Sequence, residues 1–332
     1  MFSYLLRRLF IMIPTLLAIS FIVFVVIQLP PGDYLTTLVE EYRSRGEQVP
    51  LEEIAFLKRE YGFGEPFLVQ YIHWLGGMMV GDFGHSFSFD LPVSEVVGNV
   101  LGYTVLVEFT TVLFVYLVSF PIGIYSATHQ YSWTDHGISL IGYIGYAVPN
   151  FLLAIVLMYY SKLWFGAEIG GLMDIRFEDQ PWSWDKAVSV AQHLWIPVVV
   201  IGTSGTAAMI RRLRANLLDE LRKQYVVTAR AKGLSPMRLL LKYPLRVSLN
   251  PFIADIGSLL PEIVSGSAIV GIILSLPTTG PLLLNALLNQ DMYLAGSFLM
   301  FLSVLVVVGM FVSDIMLAWL DPRIRLDGGL QR

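Results

Sequence analysis

The sequence predicts an all-α protein that crosses a membrane six times and forms one membrane domain. Of its 332 residues, 55% are hydrophobic and only 14% are charged, whereas soluble domains carry about 25% charged residues. Its apolar stretches are long and numerous, and its basic residues are confined to a few short segments. The chain has no cysteine, which excludes disulfide bonds and thiol chemistry.

Six apolar stretches have approximately the length that a membrane span requires, since a hydrocarbon core of about 30 Å takes about 20 helical residues. The predicted spans are Leu9–Leu29, Val100–Ala127, Ile138–Tyr160, His193–Ile210, Leu249–Leu274 and Leu294–Leu320. We expect an N-terminal region with the first span (1–32), an extracytoplasmic subdomain (33–99), a five-helix core (100–320) with a basic loop (211–248), and a tail (321–332).

The distribution of charge predicts how these spans are oriented. Arg7 and Arg8, the segment Arg211–Arg246 with ten of the 22 basic residues, and three arginines of the tail would all lie on one side. Acidic residues concentrate instead in Asp33–Glu95 and Glu168–Asp185. Because Lys and Arg accumulate in cytoplasmic loops, both termini are expected in the cytoplasm.

The predicted extracytoplasmic subdomain carries two helix signals of its own. Pro50 precedes Leu51–Glu60 and Gly62 follows it, as is typical of helix ends. The second run, Pro66–Met79, places four large side chains at helical spacing, namely Phe67, Tyr71, Trp74 and Leu75. We interpret these side chains as packing against the outer ends of the spans rather than contacting a substrate, because interfacial Trp and Tyr are common anchors.

The basic loop contains a short segment, Tyr225–Leu234, that is bounded at both ends. Its residues can form two helical turns, and Gly233 stands where a left-handed residue would end the helix. Ser235 and Pro236 then provide an N-cap and a first residue for another helix. The pattern therefore predicts a short, rigid helix on the surface of a membrane protein. A basic segment that holds anionic lipid is the alternative interpretation.

Several motifs, in one order along the chain, resemble a known family. They are Leu5-Leu6-Arg7-Arg8-Leu9, Ile13-Pro14-Thr15, Pro31-Gly32-Asp33, Gly81-Asp82-Phe83-Gly84-His85-Ser86, Thr228-Ala229-Arg230-Ala231-Lys232-Gly233-Leu234, Leu260-Pro261 followed by Gly266-Ser267, and Asp321-Pro322-Arg323-Ile324-Arg325. Together they resemble the permease subunits of the dipeptide and oligopeptide family of ATP-binding-cassette (ABC) importers. This likeness implies a type I ABC importer permease fold in a prokaryotic inner membrane.

The resemblance also implies partners and a coupling site. The expected partners are a second, homologous permease subunit, two ABC ATPase subunits, an extracytoplasmic solute-binding protein and membrane lipid, with no nucleic acid. The helix that couples to the ATPase would comprise Tyr225, Val226, Thr228, Ala229, Arg230, Ala231, Lys232, Gly233 and Leu234. Tyr225 and Val226 would be its apolar anchors, and Arg230 and Lys232 its polar contacts.

The chain itself is not expected to be an enzyme or to bind a cofactor or metal. It has no G-x-x-x-x-G-K-[ST] loop for phosphates and no Gly-Lys pair from which one could be built. ATP and Mg²⁺ would therefore be bound by the partner ATPase subunits.

Ionisable residues inside predicted spans are costly and often mark pathways. The candidate pathway residues are Glu108, Asp255, Glu262, Ser265 and Ser267. Asp255 and Glu262 are seven residues apart and would share one helix face. Asp314 lies near the predicted cytoplasmic end of the last span, where we expect it to meet water or an arginine.

The nature of the solute stays open between peptides and oligosaccharides. The segment 269–280 resembles the family's outer loop, but many peptide carriers have an acidic residue and a Pro-Gly pair there. This chain has Gly271 and Pro277-Thr278 at the matching places. The family includes oligosaccharide carriers, and a separate binding protein largely sets the choice of solute.

Two other classes of protein share some of these sequence features. Gly202-Thr203-Ser204-Gly205 matches the G-x-S-G pattern of rhomboid-like intramembrane proteases, but none of the five histidines is well placed as a base, and close helix packing explains the small residues better. A channel would also need intramembrane carboxylates and polar helix faces. It would not need a bounded surface helix.

Overall fold

The computed structural model describes residues 2–29, 39, 42–46, 55, 65–166, 170–178, 180–255, 259 and 267–320. Apart from residue 55, the predicted helix Leu51–Glu60 lies outside these residues, as does the predicted tail 321–332. The described part of the chain is almost entirely helical, which confirms the all-α prediction. A two-stranded antiparallel hairpin, β1 (His85–Ser86) with β2 (Leu91–Pro92), was not predicted.

The helices are numbered along the chain. They are α1 (Phe2–Gln28), α2 (Phe67–Met79), α3 (Val93–Thr128), α4 (Trp133–Ala147), α5 (Asn150–Phe165), α6 (Trp184–Leu221), α7 (Gln224–Ala231), α8 (Pro236–Lys242), α9 (Pro244–Ser248), α10 (Asn250–Ala254), α11 (Ala268–Ile273), α12 (Thr279–Leu288) and α13 (Met292–Leu320). Ile175–Phe177 forms a short 3₁₀ helix. We call the end of the bundle that carries α7 to α9 the basic end.

Four helices of the described chain, α1, α3, α6 and α13, contain segments long and apolar enough to cross a membrane. The α4–α5 pair passes the same test together and makes a fifth span if the two bent helices cross the membrane as one. The remaining predicted span, Leu249–Leu274, runs from the residue before α10 to the residue after α11, and most of the residues between these two helices lie outside the described ranges. Multiple spanning is thus confirmed, whereas the continuity of Leu249–Leu274 stays a prediction.

The pairing of α3 with α6 forms the centre of the bundle. A Cβ added at Gly202 would come within 2.8 Å of the Phe114 ring, and one at Gly123 within 3.1 Å of Leu213. Glycine at both positions therefore lets the two helices approach closely. The buried core beside them includes Val107, Ile196, Val200, Val270 and Leu274, contributed by α3, α6, α11 and the residue that follows α11.

The third predicted span, Ile138–Tyr160, is made of two helices with a sharp bend between them rather than of one straight helix. The helices α4 and α5 meet at an angle of 98°. The break lies at Val148 and Pro149, where Val148 is extended with ψ of 121°. A proline disfavours the helical conformation of the residue before it, which explains the interruption.

Helix α6 is much longer than the predicted span His193–Ile210. It has 38 residues and extends beyond that span at both ends. Its start is capped by the Ser183 side chain, which accepts a hydrogen bond from Lys186 N. Hydropathy marks only the apolar part of a helix, so the polar ends of α6 escaped the sequence prediction.

The aromatic side chains of α2 pack against α1, as predicted. Phe24 of α1 is fully buried, and its ring centre lies 5.1 Å from that of Phe67, 5.5 Å from that of Tyr71 and 5.4 Å from that of Trp74. The hydroxyl groups of Ser20 and Tyr71 are 2.8 Å apart and share a hydrogen bond. These contacts hold α2 on the end of α1.

Two acidic side chains tie other elements to α13. Buried Asp291 accepts hydrogen bonds from the Ser86 hydroxyl at 2.6 Å and from the Ser88 amide at 3.0 Å, which anchors the β1–β2 hairpin at the start of α13. Asp314 pairs with Arg8 of α1, with 3.1 Å between Oδ2 and Nη1. The expectation that Asp314 meets an arginine is confirmed.

Candidate functional site

The predicted surface helix forms at the basic end as α7. Only Arg222 and Lys223 separate it from the long helix α6. Gly233 has a φ of +79°, and its amide donates to the carbonyl of Arg230 at 3.0 Å. Pro236 then opens α8. The predicted helix and the left-handed glycine are therefore confirmed as local structure.

Ser235 lies at the N-cap position of α8 but makes no side-chain capping bond. Its backbone is nevertheless in the extended region that an N-cap residue adopts, with φ of −63° and ψ of 146°. The boundary between α7 and α8 thus rests on Gly233 and Pro236, rather than on the Ser235 hydroxyl.

A small apolar cluster fixes α7 to the rest of the chain. Val226 is 1% exposed, Ala229 6% and Leu239 4%, and Leu234 and Tyr243 pack against them. The side chain of Val226 is buried in this internal cluster. It is therefore not the exposed apolar anchor for a partner that was expected from the sequence. Its contribution is to hold α7 in place from beneath.

The opposite face of α7 is open. Tyr225 is 38% exposed and Val227 52%, and the polar or small residues Thr228, Arg230, Ala231 and Lys232 are exposed as well. Val227 thus takes the exposed apolar position that the sequence prediction had given to Val226. Helical spacing alone did not show which of two adjacent valines faces inward.

The orientation of Tyr225 is fixed by α6. Its hydroxyl donates a hydrogen bond to the carboxylate of Glu220. Partial burial, together with this hydrogen bond, raises the pKa of the Tyr225 phenol above its usual range. The phenol therefore keeps its proton at physiological pH and joins α7 to the last turn of α6.

The pathway candidates are divided between two places. Glu108 of α3 is 6% exposed, and its Oε1 accepts a hydrogen bond from the Ser267 amide at 2.9 Å, just before α11 begins. Asp255, at the end of α10, forms an ion pair with Arg212 of α6. Glu262 and Ser265 lie outside the described residues. The structure thus brings Glu108 and Ser267 together and gives Asp255 a basic partner.

Asp135 of α4 and Arg214 of α6 form an ion pair that was not predicted from the sequence, in which the carboxylate is buried and the guanidinium is partly exposed. The Asp135 side chain is 2% exposed, and its Oδ2 lies 2.7 Å from Arg214 Nη2. The only signal in the sequence was an acidic residue in the first turn of a helix, which is common on protein surfaces.

The geometry around Ser204 does not support a protease. In the part of the chain that the structure describes, Asn150 Nδ2 donates to Ser204 Oγ at 3.3 Å. His193 Nδ1 is bonded instead to the Ser189 carbonyl, at 2.7 Å. A nucleophilic serine needs a base within hydrogen-bond reach, and these contacts provide none.

A bundle of long apolar helices with a short surface helix fixed at one end is the architecture of a multi-pass membrane protein. The family of binding-protein-dependent transport system inner membrane components matches residues 119–326. A second family, which describes the N-terminal region of binding-protein-dependent transport system membrane components, matches residues 1–105. The chain therefore belongs to the binding-protein-dependent permease family of ABC importers.

Individual relatives extend over nearly the whole chain. The oligopeptide transport system permease protein AppB of Bacillus subtilis is 34% identical over 98% of this chain and 99% of its own length. The peptidoglycan transport system permease protein YejB of Agrobacterium fabrum is 30% identical, with 97% and 98% covered. The dipeptide transport system permease protein DppB of Escherichia coli is 29% identical, with 98% and 99% covered.

Proposed function

We propose that this chain is one of two homologous permease subunits in an ATP-driven importer of di- or oligopeptides. The names of the oligopeptide and dipeptide permeases, which match 98% of the chain, support this choice of solute. The partners would be the second permease, two ABC ATPase subunits that bind ATP and Mg²⁺, and a solute-binding protein. Both termini and the basic end would face the cytoplasm of a prokaryotic cell.

The single observation that carries the coupling part of this proposal is the geometry of α7. Its buried residues Val226 and Ala229 fix it to the chain, while Tyr225, Val227 and Arg230 are exposed. A helix with one face packed on the rest of the chain and the other face exposed can bind in a groove on an ATPase and transmit the movement of that groove. The side chain of Arg230, with that of Lys232 directly after the helix, would suit acidic residues in the groove.

The translocation pathway would run between this chain and the second permease. We assign Glu108, Asp255, Glu262, Ser265 and Ser267 to it. The contact of buried Glu108 with the Ser267 amide supports the assignment of these two residues, because an ionisable group inside a membrane span often marks a pathway. Closure of the ATPase subunits around ATP would open the pathway toward the binding protein, and their separation would open it inward.

The test is a charge reversal on the exposed face of α7. In cells that express the complete importer, Arg230→Glu should reduce both recovery of the ATPase with the purified permease and ATP-dependent uptake of labelled dialanine. The control is Arg176→Glu in the 3₁₀ helix before α6, where a largely exposed ion pair with Asp174 and a cation–π contact with Phe177 are lost. Full ATPase recovery and uptake with Arg230→Glu, at equal membrane levels, would refute docking through α7.

A further inference from the structure

Asp135 is one of the most thoroughly bonded carboxylates in the described chain. Arg214 Nε donates to its Oδ1 at 2.9 Å and Arg214 Nη2 to its Oδ2 at 2.7 Å. The Ser126 hydroxyl also donates to Oδ1, and the Tyr131 amide donates to Oδ2 at 2.9 Å. Asp135 is buried, both as a whole residue and as a side chain. A buried charge with this many specific donors is fixed in position.

These donors come from different elements. Ser126 lies in the last turn of α3, Tyr131 in the turn that follows it, Asp135 in the first turn of α4 and Arg214 on α6. Tyr131 has a φ of +66°, a conformation uncommon for a non-glycine residue, which aims its amide at the carboxylate. One side chain therefore joins the α3–α4 turn to α6.

Separating these elements would take the hydrogen-bond donors away from the buried Asp135 carboxylate. A buried ion pair does not necessarily stabilise a fold, but the removal of one partner is strongly unfavourable. The elements also pack tightly by apolar contact, since Ala127 of α3 and Leu217 of α6 share a buried cluster with Leu245. The α3–α4 turn and this part of α6 therefore form a unit that resists separation.

The ion pair lies close to α7 along the chain. Arg214 is ten residues before Gln224, a distance of about 15 Å along a helix. Arg222 and Lys223 are the whole connection between α6 and α7, and Tyr225 is bonded back to Glu220. Because this connection is short and bonded, a displacement of α7 should also move the part of α6 that carries Arg214.

We propose that Asp135 and Arg214 are positioning residues that make the α3–α4 turn follow α6 when the ATPase moves α7. This inference rests on the proposed function, because it needs α7 to be the site of ATPase docking. Through α6, the pair links α7 to the helices α3 and α4, which are not adjacent to α7 along the chain. Without the pair, α6 would move while the α3–α4 turn lagged behind.

The decisive variant removes both charges together. Asp135→Asn with Arg214→Leu leaves no buried ion unpaired, so the protein is expected to fold, whereas either single substitution risks misfolding. Arg214→Lys is the conservative comparison, because lysine keeps the charge but cannot reproduce the two parallel hydrogen bonds of arginine. Recovery of the assembled complex and its melting temperature would verify folding for each variant.

The first readout is the number of labelled dialanine molecules imported per ATP hydrolysed, measured with the complete importer in proteoliposomes. We expect the double variant to hydrolyse ATP but to import about five-fold less per ATP, the lower end of typical coupling between sites. Arg214→Lys should recover part of this ratio. A double variant with the wild-type ratio would overturn the inference and leave the pair a purely structural role.

The second readout is a distance that does not depend on the solute. The chain has no native cysteine, so spin labels can be placed through Leu140→Cys on α4 and Ala215→Cys on α6, both exposed positions. The distance should be the same without nucleotide and with ATP–vanadate in the otherwise native complex, and should change in the double variant. The inference would be overturned if ATP–vanadate changed the distance in the otherwise native complex. It would also be overturned if ATP–vanadate left the distance unchanged in the double variant.

The two proposals fail in different ways. A complex whose uptake and ATPase recovery are unaffected by Arg230→Glu would refute docking through α7, whatever the label distance shows. A complex that imports dialanine and loses that import with Arg230→Glu, yet tolerates the double variant, would refute only the role of Asp135 and Arg214.

Discussion

At the scale of single residues, Gly233 determines where the proposed coupling helix ends. Its φ of +79° is in the left-handed region, and a Cβ added there would meet no atom within 4 Å. The requirement for glycine is therefore a property of the backbone rather than of crowding. Left-handed geometry costs other residues about 1–2 kcal/mol.

We expect Gly233→Val to displace the end of α7 and to reduce ATP-dependent dipeptide uptake, with a local cost of about 1–2 kcal/mol from the strained backbone. Gly233→Asn is the matched control, because asparagine tolerates the left-handed region better than other side chains. Uptake in whole cells at equal permease levels is the measurement. Equal activity of the valine and asparagine variants would contradict this account.

Residues also show the limit of sequence reasoning at the coupling site. The glycine at 233 and the proline at 236 have fixed backbone preferences, so the sequence alone located both breaks. The inward orientation of Val226 depends instead on Leu239 and Tyr243, which approach it only in the folded chain. A local pattern cannot report a surface that other elements create.

At the scale of elements, the bend between α4 and α5 is the main departure from the predicted spans. Hydropathy measures how apolar a segment is and says nothing of the direction in which it runs. Pro149 was visible in the sequence, but prolines also lie inside the continuous helices α3 and α6, at Pro121 and Pro197. Tertiary packing decides which proline ends a helix and which is accommodated.

We expect Pro149→Ala to favour one continuous helix across the break, because alanine removes the restriction on Val148. This change would disturb the contact of Asn150 with Ser204 and reduce uptake. The control is Pro121→Ala, which replaces an exposed proline inside a helix and should leave uptake unchanged or improve stability. Uptake and the melting temperature of the purified complex are the two measurements.

The outcome that contradicts this interpretation is simple. If Pro149→Ala transports like the parent and melts at the same temperature, the break does not depend on proline. The neighbouring packing of α4 and α5 on α6 would then be its cause.

At the scale of the whole molecule, contacts between distant residues are what the sequence could not supply. Asp135 and Arg214 are 79 positions apart, and Glu108 and Ser267 are 159 apart. The composition and motifs predicted the fold class and the family, because these depend on hydrophobicity and on local backbone preference. The partners of buried charges depend on how the helices are arranged in three dimensions.

The proposed orientation of the molecule can be tested with two single cysteines. Ser88→Cys lies in the exposed part of the hairpin segment, and Ser235→Cys lies between α7 and α8. A membrane-impermeant thiol reagent should label Ser88→Cys in intact cells, or in spheroplasts where an outer membrane is present. It should label Ser235→Cys only in inverted vesicles. The absence of native cysteine makes the parent chain an unlabelled control.

The opposite labelling pattern would invert the topology and place α7 away from the ATP of the cell. Labelling of both positions from one side would mean that they lie on the same side of the membrane, with an even number of spans between them. Either result would contradict the proposed ATPase docking.

The 38 residues of α6 have a consequence for the size of movement that the bundle can deliver. A helix of that length extends about 57 Å, nearly twice the hydrocarbon thickness of about 30 Å. A tilt of about 5° around one end would displace the other by about 5 Å. A modest rocking imposed beneath the bilayer could thus be amplified into an opening wide enough to admit a water molecule on the far side.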